Sequence, residues 1–437
     1  MTSFPGHAAS SHDHGTKAHP DVAPGEIAVG VVIGRASEYF DFFVYGIASA
    51  LVFPAVFFPF VDRLEGTLYS FAVFALAFLA RPFGTVLSMK VQSRWSRGVK
   101  MTAALFMLGT ATAGIAFLPG YAALGGASIA LLAFFRILQG LALGGSWDGL
   151  PSLLALNTPK ERRGWYAMLG QLGAPVGFIV AASVFAYLYS SLGEADFLAW
   201  GWRYPFYVAF AINVVALFAR LRIVVADEYQ NKMHQLDLEP TSFRELMRAK
   251  GQHVVIGAFA ALASYALFHI VTIFPLSWIR LFSEQSITQF LMIQVLGGFI
   301  AIGATIASGL IADRIGRART LGGLAIAIAM FSGFAPTLMG AGDVGQGAFV
   351  LIGFLLLGLS YGQAAGAVTA NFGHRYRYTG AALTSDLAWI VGAAFAPLVA
   401  LALCAYFGLA WLGAYLLSGA ICTLAALAIN RSRNYKS

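Results

Sequence analysis

The chain has 437 residues, of which 59% are hydrophobic and only 11% are charged. A soluble globular protein carries roughly 25% charged residues, so this chain has too few polar side chains to cover a water-facing surface. The composition excludes an ordinary soluble protein and indicates a chain that is solvated by lipid. The formal net charge of +8 does not indicate a nucleic-acid partner, because the basic residues fall in short segments between apolar runs.

Residues 1–25 differ in composition from the rest of the chain. They are rich in Ser, Gly, Pro and His, and they lack the basic start and apolar middle of a signal peptide. We predict a disordered cytoplasmic tail. A metal-binding role for this tail is the less favoured alternative. The tail contains His7, His12, His14 and His19.

Apolar runs long enough to cross a bilayer, which takes roughly 20 residues in a helix, recur along the chain. They predict an all-α membrane protein of twelve transmembrane helices in two six-helix, pseudo-symmetric halves. We number these helices in chain order as spans one to twelve, at 28–56, 66–91, 98–119, 125–156, 163–192, 202–222, 252–282, 287–312, 318–340, 344–371, 378–405 and 408–430.

The predicted halves occupy residues 26–222 and 252–430, and a polar central loop at 223–251 separates them. Lys and Arg concentrate in the loops after the even-numbered spans, in the central loop and in a short C-terminal tail at 431–437. Short loops rich in Lys and Arg remain in the cytoplasm. We therefore predict that both termini and the central loop lie on the cytoplasmic side of the inner membrane. A short surface helix is predicted at 241–250.

The two halves share a loop signature. The loop after span eight reads Gly-Leu-Ile-Ala-Asp-Arg-Ile-Gly-Arg, and the loop after span two reads Met-Lys-Val-Gln-Ser-Arg-Trp-Ser-Arg, with Ser93 in place of the acid. Paired six-helix halves with this loop resemble the major facilitator superfamily, in which the halves surround a central cavity and rock about a site at the bilayer midplane. The candidate gating or structural charges of the loop after span eight are Asp313, Arg314 and Arg317.

Four further segments resemble the metabolite–proton symporter family within that superfamily, and the resemblance covers nearly the whole chain after the tail. They lie at 34–46 in span one, 81–84 in span two, 136–147 in span four and 377–380 at the start of span eleven. Known members carry citrate, 2-oxoglutarate, shikimate and other carboxylates, or the zwitterions proline and betaine. The resemblance implies proton-coupled import of such a metabolite by alternating access.

The chain departs from that family's pattern near its gates. Ser146 stands where the family has Glu, and Asp148 stands where it has Gly. Ser93 and Ala370 likewise occupy positions where the family has acids. Asp148 is predicted to replace the missing acid from a shifted position, or to pair with Arg35.

Ionisable residues inside a span are costly to insert and mark functional sites by default. Glu38 and Asp41 are three residues apart and share a helix face, which Tyr45 continues. Two neighbouring carboxylates repel each other, so one of them is expected to protonate near neutral pH, as proton coupling requires. The strongest set of such residues is Glu38, Asp41, Arg81, Arg136 and Asp148.

Arg136, toward the middle of span four, is the predicted partner of the coupling acid. In the related sugar–proton symporters, an Asp on span one and an Arg at this place form a proton-linked pair, and the resemblance implies Asp41 and Arg136 here. We hypothesise that Asp41 protonates when substrate engages Arg136, and the alternative is a static ion pair. The planar guanidinium also suits a substrate carboxylate, with Gln139 and Tyr45 as further candidate contacts. Arg81 and Glu38 lie at a similar depth and are predicted to pair.

The spans of the second half contain fewer ionisable residues. Asp386 lies three residues from Trp389 and is predicted to neutralise a cationic part of the substrate, with a packing contact as the alternative. His269 in span seven is interpreted as a core residue at least as readily as a ligand or a proton carrier. The remaining candidate substrate-binding residues are Gln294, Tyr361 and Gln363.

Proton-coupled import is the favoured function. A proton-driven efflux antiporter shares the architecture and is the alternative, and a transporter-derived sensor is less favoured. An enzyme is not predicted, because the sequence has no set of nucleophile, base and acid near one interface. The sequence has no Walker motif, and Cys404 and Cys422 lie in apolar runs, so neither a cofactor nor a metal is predicted. The expected partners are a small molecule, protons and lipid around a monomer.

Overall fold

The computed structural model describes residues 24–146, 159–224, 238–369 and 372–434. These residues form helices joined by short turns, without a strand among them. Ten of the helices are long and apolar enough to cross a membrane. Two further helices, Pro24–Leu51 and Tyr204–Val224, correspond to spans one and six, so the predicted all-α fold of twelve spans is confirmed. The first of them carries three ionisable residues at its centre: Arg35, Glu38 and Asp41.

Most predicted spans correspond to a continuous helix, and spans one, five, seven and eleven are interrupted. The span-forming helices of the first half are Pro24–Leu51 with Phe53–Phe57, Arg63–Arg94, Arg97–Ala116, Gly126–Gly145, Arg163–Leu169 with Gly173–Ala199, and Tyr204–Val224. Those of the second half are Phe243–Ala260 with Leu262–Thr272 and Phe274–Phe282, then Ile287–Ile315, Arg317–Gly340, Gly342–Thr369, His374–Ala388 with Ala396–Phe407, and Ala410–Asn434. A π-helical turn, Trp389–Ala394, joins the two parts of span eleven.

The start of span seven differs from the prediction. A separate surface helix is predicted at 241–250, but the structure has one helix, Phe243–Ala260, that leads into the span. Leu246 and Val254 of this helix are buried against Phe372 and Leu383. This apolar face holds the segment against span eleven, so it does not lie separately on the surface.

A proline and a glutamine shape the middle of span seven. Pro275 has no backbone N–H, so it cannot donate to the carbonyl of Val271 one turn earlier. The Gln294 side chain of span eight supplies the missing donor, since its Nε2 lies 3.2 Å from Val271 O and 3.0 Å from Thr272 O. Gln294 therefore stabilises the break in a buried helix.

Replacing Gln294 with leucine is expected to destabilise the protein by about 1 kcal/mol or more, because the buried carbonyls of Val271 and Thr272 lose a donor. The thermal unfolding midpoint of the detergent-solubilised protein measures this loss. Met292→Leu is the matched control, because Met292 lies on the same span and is exposed. Equal midpoints for the two variants would contradict the role of Gln294.

The two halves contact each other through equivalent pairs of spans. Span two packs against span eleven, and span five packs against span eight. Spans one and seven approach each other at the centre, where helix Pro24–Leu51 contacts helix Phe274–Phe282. This arrangement positions the residues of a central site on spans from both halves.

Candidate functional site

A cavity lies between the two halves. Spans one, two, four and five form one side of its wall, and spans seven, ten and eleven form the other. Together with its open mouth, the cavity contains about 1080 Å³ of empty space. Its ionisable or hydrogen-bonding wall residues are Arg35, Glu38, Tyr39, Arg81, Tyr166, Gln171, Tyr265, Tyr361, Ser385 and Trp389.

Aromatic rings close one end of this cavity. The hydroxyl groups of Tyr39 and Tyr361 hydrogen-bond across the two halves. Phe42 lines the cavity, and its ring centroid lies 5.8 Å from that of Trp389 and 5.2 Å from that of His269. His269 is completely buried, and neither ring nitrogen has a hydrogen-bond partner within the described residues. It is a core residue of this aromatic cluster in the present conformation.

A chain of hydrogen bonds connects Asp41 to Arg136 behind Phe42. Thr112 of span three donates to both carboxylate oxygens of Asp41 at 3.0 Å. Gln139 donates to Thr112 Oγ1 at 2.9 Å and accepts from Arg136 Nη1 at 3.0 Å. Asn213 of span six completes the environment of Asp41, with its Nδ2 3.4 Å from Oδ2.

The predicted direct pair between Asp41 and Arg136 is not present. Thr112 and Gln139 lie between them, and the two charged groups are not within ion-pair distance of each other among the described contacts. Arg136 instead donates its Nε to Phe74 O at 3.2 Å, and its guanidinium carbon lies 3.9 Å from the centre of the Tyr45 ring. A static ion pair therefore does not describe this site.

Glu38 and Arg81, which are predicted to pair, have different partners. Arg35 donates to Glu38 at 2.8 Å, and Ser146 donates to its other oxygen at 3.0 Å. Arg81 pairs with Asp386 across the two halves, with 2.8 Å between Nε and Oδ1. The prediction of an Arg81–Glu38 pair is wrong, because Arg35 is one helical turn from Glu38 on the same helix, whereas span eleven brings a second acid to Arg81.

The loop after span eight holds span five. Asp313 accepts from the backbone N–H groups of Gly164 and Trp165 at 2.6 and 3.1 Å, at the start of helix Arg163–Leu169. This is a favourable place for a carboxylate, because the first N–H groups of a helix lack intrahelical partners. Arg317 donates to Gly366 O at 3.0 Å and Arg163 O at 3.3 Å, whereas Arg314 is exposed.

The corresponding region of the first half uses a different set of residues, because Ser93 cannot take the place of Asp313. Lys100 is buried and donates to the Tyr378 hydroxyl at 2.9 Å, and that hydroxyl donates to Gln92 at 3.0 Å. These contacts link spans two and three to the start of span eleven. The sequence indicated Lys100 only as a topology signal, and the buried contact with Tyr378 was not predicted.

This architecture matches a known family. A family model described as Major Facilitator Superfamily matches residues 42–389. The chain belongs to the Major Facilitator Superfamily. The predicted resemblance to this superfamily is thereby confirmed.

Curated relatives that match this superfamily member over most of their length are named as transporters. The inner membrane metabolite transport protein YhjE of Escherichia coli is 33% identical, over 98% of this chain and 99% of the relative. The shikimate transporter of Escherichia coli is 31% identical over 92% of each chain. The proline/betaine transporter of the same organism is 25% identical over 82% of this chain and 74% of the relative.

A solved structure agrees with the fold. The crystal structure of a D-xylose–proton symporter superposes with a TM-score of 0.67 at 19% identity, over 92% of this chain and 96% of that chain. At this identity the likeness shows the fold alone. The family and the curated relatives show this superfamily member to be a secondary transporter and not an enzyme, with several spans in the inner membrane.

The cavity of this superfamily member contains only part of the predicted site. Tyr361, Glu38 and Arg81 line it. The other candidate substrate residues do not form part of its wall in this conformation: Tyr45, Arg136, Gln139, Gln294, Gln363 and Asp386. Gln363 instead donates to Gly164 O and to Ser308 at 3.2 Å, which joins span ten to spans five and eight. Asp148 and Ala370 lie outside the described residues.

Sequence reasoning missed several wall residues. Tyr39 and Tyr265 carry no charge, and tyrosines are common in apolar spans, so they had no local signal. Gln171 is buried in the wall close to the break between helices Arg163–Leu169 and Gly173–Ala199. The polarity of Gln171 inside a span was a usable signal, because amides in lipid-crossing helices are enriched where they find partners.

Proposed function

We propose that the chain is a proton-coupled symporter that imports a small polar metabolite, an organic carboxylate or a zwitterion. The buried hydrogen-bonded chain from Asp41 to Arg136 carries this proposal. The side chain of Asp41 is 3% exposed and that of Arg136 is 1% exposed, so a carboxylate and a guanidinium are held away from water without direct neutralisation. Such a carboxylate can exchange a proton when its surroundings change.

Asp41 is the proposed proton-binding residue. Its protonation is proposed to depend on whether substrate is bound at Arg136. Thr112 and Gln139 carry the coupling, because each of them makes hydrogen bonds toward both ends of the chain. Glu38, on the same face of span one, is proposed to join the inner gate through Arg35 and Ser146. Movement of span one then changes the cavity wall and the environment of Asp41 together.

Two observations support a carboxylate or zwitterion as the substrate class. The cavity wall carries Arg35 and Arg81, with guanidinium groups that recognise carboxylates. The shikimate transporter and the proline/betaine transporter carry, by their names, a carboxylic acid and zwitterions. The tyrosines and Gln171 of the wall supply neutral hydrogen-bonding groups for the rest of such a molecule.

The proposed orientation places both termini and the central loop in the cytoplasm. The predicted halves at 26–222 and 252–430 are proposed to move as units about the cavity. The cavity lies near the start of span one and the end of span ten, on the side where the central loop is proposed to lie. The transporter is proposed to act as a monomer within the lipid bilayer, since one chain contains both sides of the cavity.

Uptake into proteoliposomes tests the proposed function. The panel comprises radiolabelled shikimate, citrate, 2-oxoglutarate, proline and betaine, each with and without an inward proton gradient. We expect gradient-stimulated accumulation of at least one compound, and a protonophore should abolish this stimulation. Protein-free liposomes are the control. If no compound accumulates and a preloaded compound leaves under an opposing proton gradient, the chain is an efflux antiporter instead.

A further inference from the structure

An ion pair at the cavity wall joins the two halves. Arg81 of span two lies 2.8 Å, through Nε, from Oδ1 of Asp386 in span eleven. Thr85, one turn further along span two, donates to Oδ2 of Asp386 at 2.6 Å. The Asp386 side chain is 3% exposed, whereas that of Arg81 is 15% exposed and forms part of the wall. The acid is therefore covered, and the guanidinium borders the empty space.

The guanidinium of Arg81 retains free hydrogen-bonding capacity. Its Nε is next to Asp386, and its two terminal nitrogens make no hydrogen bond to the residues that the structure describes. The indole of Trp389 lies beside it, with 5.9 Å from the guanidinium carbon to the ring centre. A planar guanidinium held on one edge and open on the other is suited to accept a carboxylate in a bidentate pair.

The charges of Arg81 and Asp386 cancel within their pair. An incoming monocarboxylate adds one negative charge beside this pair, and one proton restores its neutrality. A tricarboxylate would leave additional negative charge without a partner, at a considerable desolvation cost.

We infer that Arg81 binds the carboxylate of a monocarboxylate substrate, and that Asp386, released from Arg81, takes up one proton from water in the cavity. The substrate carboxylate pairs with the terminal nitrogens of Arg81, and Asp386 leaves Nε as it is protonated, so one ion pair is formed and one is broken. Thr85 remains beside the protonated acid as a hydrogen-bond partner. This inference rests on the proposed function, specifies its substrate class and makes Asp386 a second proton-binding residue beside Asp41.

Among the described residues, the acid that span seven brings to the start of span eleven already has a partner. Glu245 of span seven is paired with Arg375 at 2.7 Å. Arg375 lies about three helical turns before Asp386 in span eleven. Arg81 is therefore the cation that competes directly for Asp386. The titratable groups that line the cavity around the pair are Arg35, Glu38 and Tyr39 from span one, Tyr166 from span five, Tyr265 from span seven and Tyr361 from span ten.

Equilibrium binding of radiolabelled shikimate to the detergent-purified protein, at pH 6 and pH 8, tests the inference without a proton gradient. In the wild type, we expect tighter binding at pH 6, because a protonated Asp386 no longer competes for Arg81. Asp386→Asn should bind equally well at both values of pH, since asparagine carries no charge. Arg81→Gln should weaken binding about tenfold or more, and Arg81→Lys should weaken it less.

Matched controls separate this effect from general damage. Asp343→Asn and Arg319→Gln remove an exposed acid and an exposed cation and should leave binding unchanged. If Arg81→Gln fails to fold because Asp386 is left buried and unpaired, the double variant with Asp386→Asn restores a neutral pair and is measured instead.

Three outcomes would overturn the inference. The first is that the Asp386→Asn variant binds substrate with the same pH dependence as the wild type. The second is wild-type affinity in a folded Arg81 variant. The third is the absence of binding at both pH values for shikimate, lactate and benzoate, which would exclude the monocarboxylate class. Binding as predicted, without gradient-driven uptake, would contradict the proposed symport and leave the binding assignment intact.

Discussion

Replacement of Asp41 with asparagine is expected to abolish proton-driven accumulation of substrate while exchange of substrate across the membrane continues. Asparagine has nearly the same shape and can still accept a hydrogen bond from Thr112, but it cannot carry a proton. The variant therefore keeps the packing of spans one and three and loses the titratable group. Accumulation under a pH gradient and counterflow without one, in the same proteoliposomes, measure the two activities separately.

Two comparison variants make the Asp41 result specific. Thr112→Val keeps the acid but removes the hydroxyl that connects it to Gln139, so accumulation should fall while Asp41 remains ionisable. Asp343→Asn makes the same chemical change at an exposed position and should accumulate substrate as the wild type does. Full gradient-driven uptake by Asp41→Asn would exclude Asp41 as the coupling residue.

Replacement of Gly140 with alanine is expected to destabilise the protein strongly. Spans two and four are in backbone contact there, and a Cβ at position 140 would lie 2.7 Å from Ala77 Cα and closer still to the Ala77 carbonyl oxygen. Backbone atoms of a neighbouring helix cannot move aside as a side chain can, so the two helices must separate. Overpacking typically costs about 1–3 kcal/mol, and a helix displacement places this variant at or above the upper end.

The loss is measured as a lower thermal unfolding midpoint. The detergent-solubilised protein is heated, and the fraction that remains folded is read by size-exclusion chromatography. Gly144→Ala should add to it, because a Cβ there would lie 2.5 Å from Thr85 N. Gly323→Ala is the matched control, since it makes the same change within helix Arg317–Gly340, where a Cβ would meet no atom within 4 Å. A Gly140→Ala protein as stable as Gly323→Ala would show that the close approach of spans two and four is not required.

The number and type of the spans followed from the sequence by itself. Whether a segment crosses a bilayer depends on the local sum of its side-chain hydrophobicities, which one sequence contains in full. The same local reasoning identified the ionisable residues of the site, because a charge such as Asp41, Arg136 or Asp386 is conspicuous in an apolar run. It identified Gln294 as a polar residue inside a span, but not its role beside Pro275 in span seven.

The partners of these residues were decided only by the tertiary structure. Thr85 and Asp386 are 301 residues apart in the chain, and Asp41 reaches Thr112 across 71 residues. Such contacts depend on how each helix is rotated about its axis and on how the halves meet. For this reason the predicted pairs Arg81–Glu38 and Asp41–Arg136 were replaced by a pair with Asp386 and by a bridge through Thr112.

Most neutral residues of the cavity wall likewise could not be predicted from the sequence. Tyr39 and Tyr265 become wall residues because spans from both halves converge on one space, and nothing in their own neighbourhoods distinguishes them from core residues. Local composition therefore determined which segments cross the membrane and which of their residues are costly to bury there. The packing of one half against the other determined which of those residues share a site, because contacts between distant helices depend on geometry that local composition does not contain.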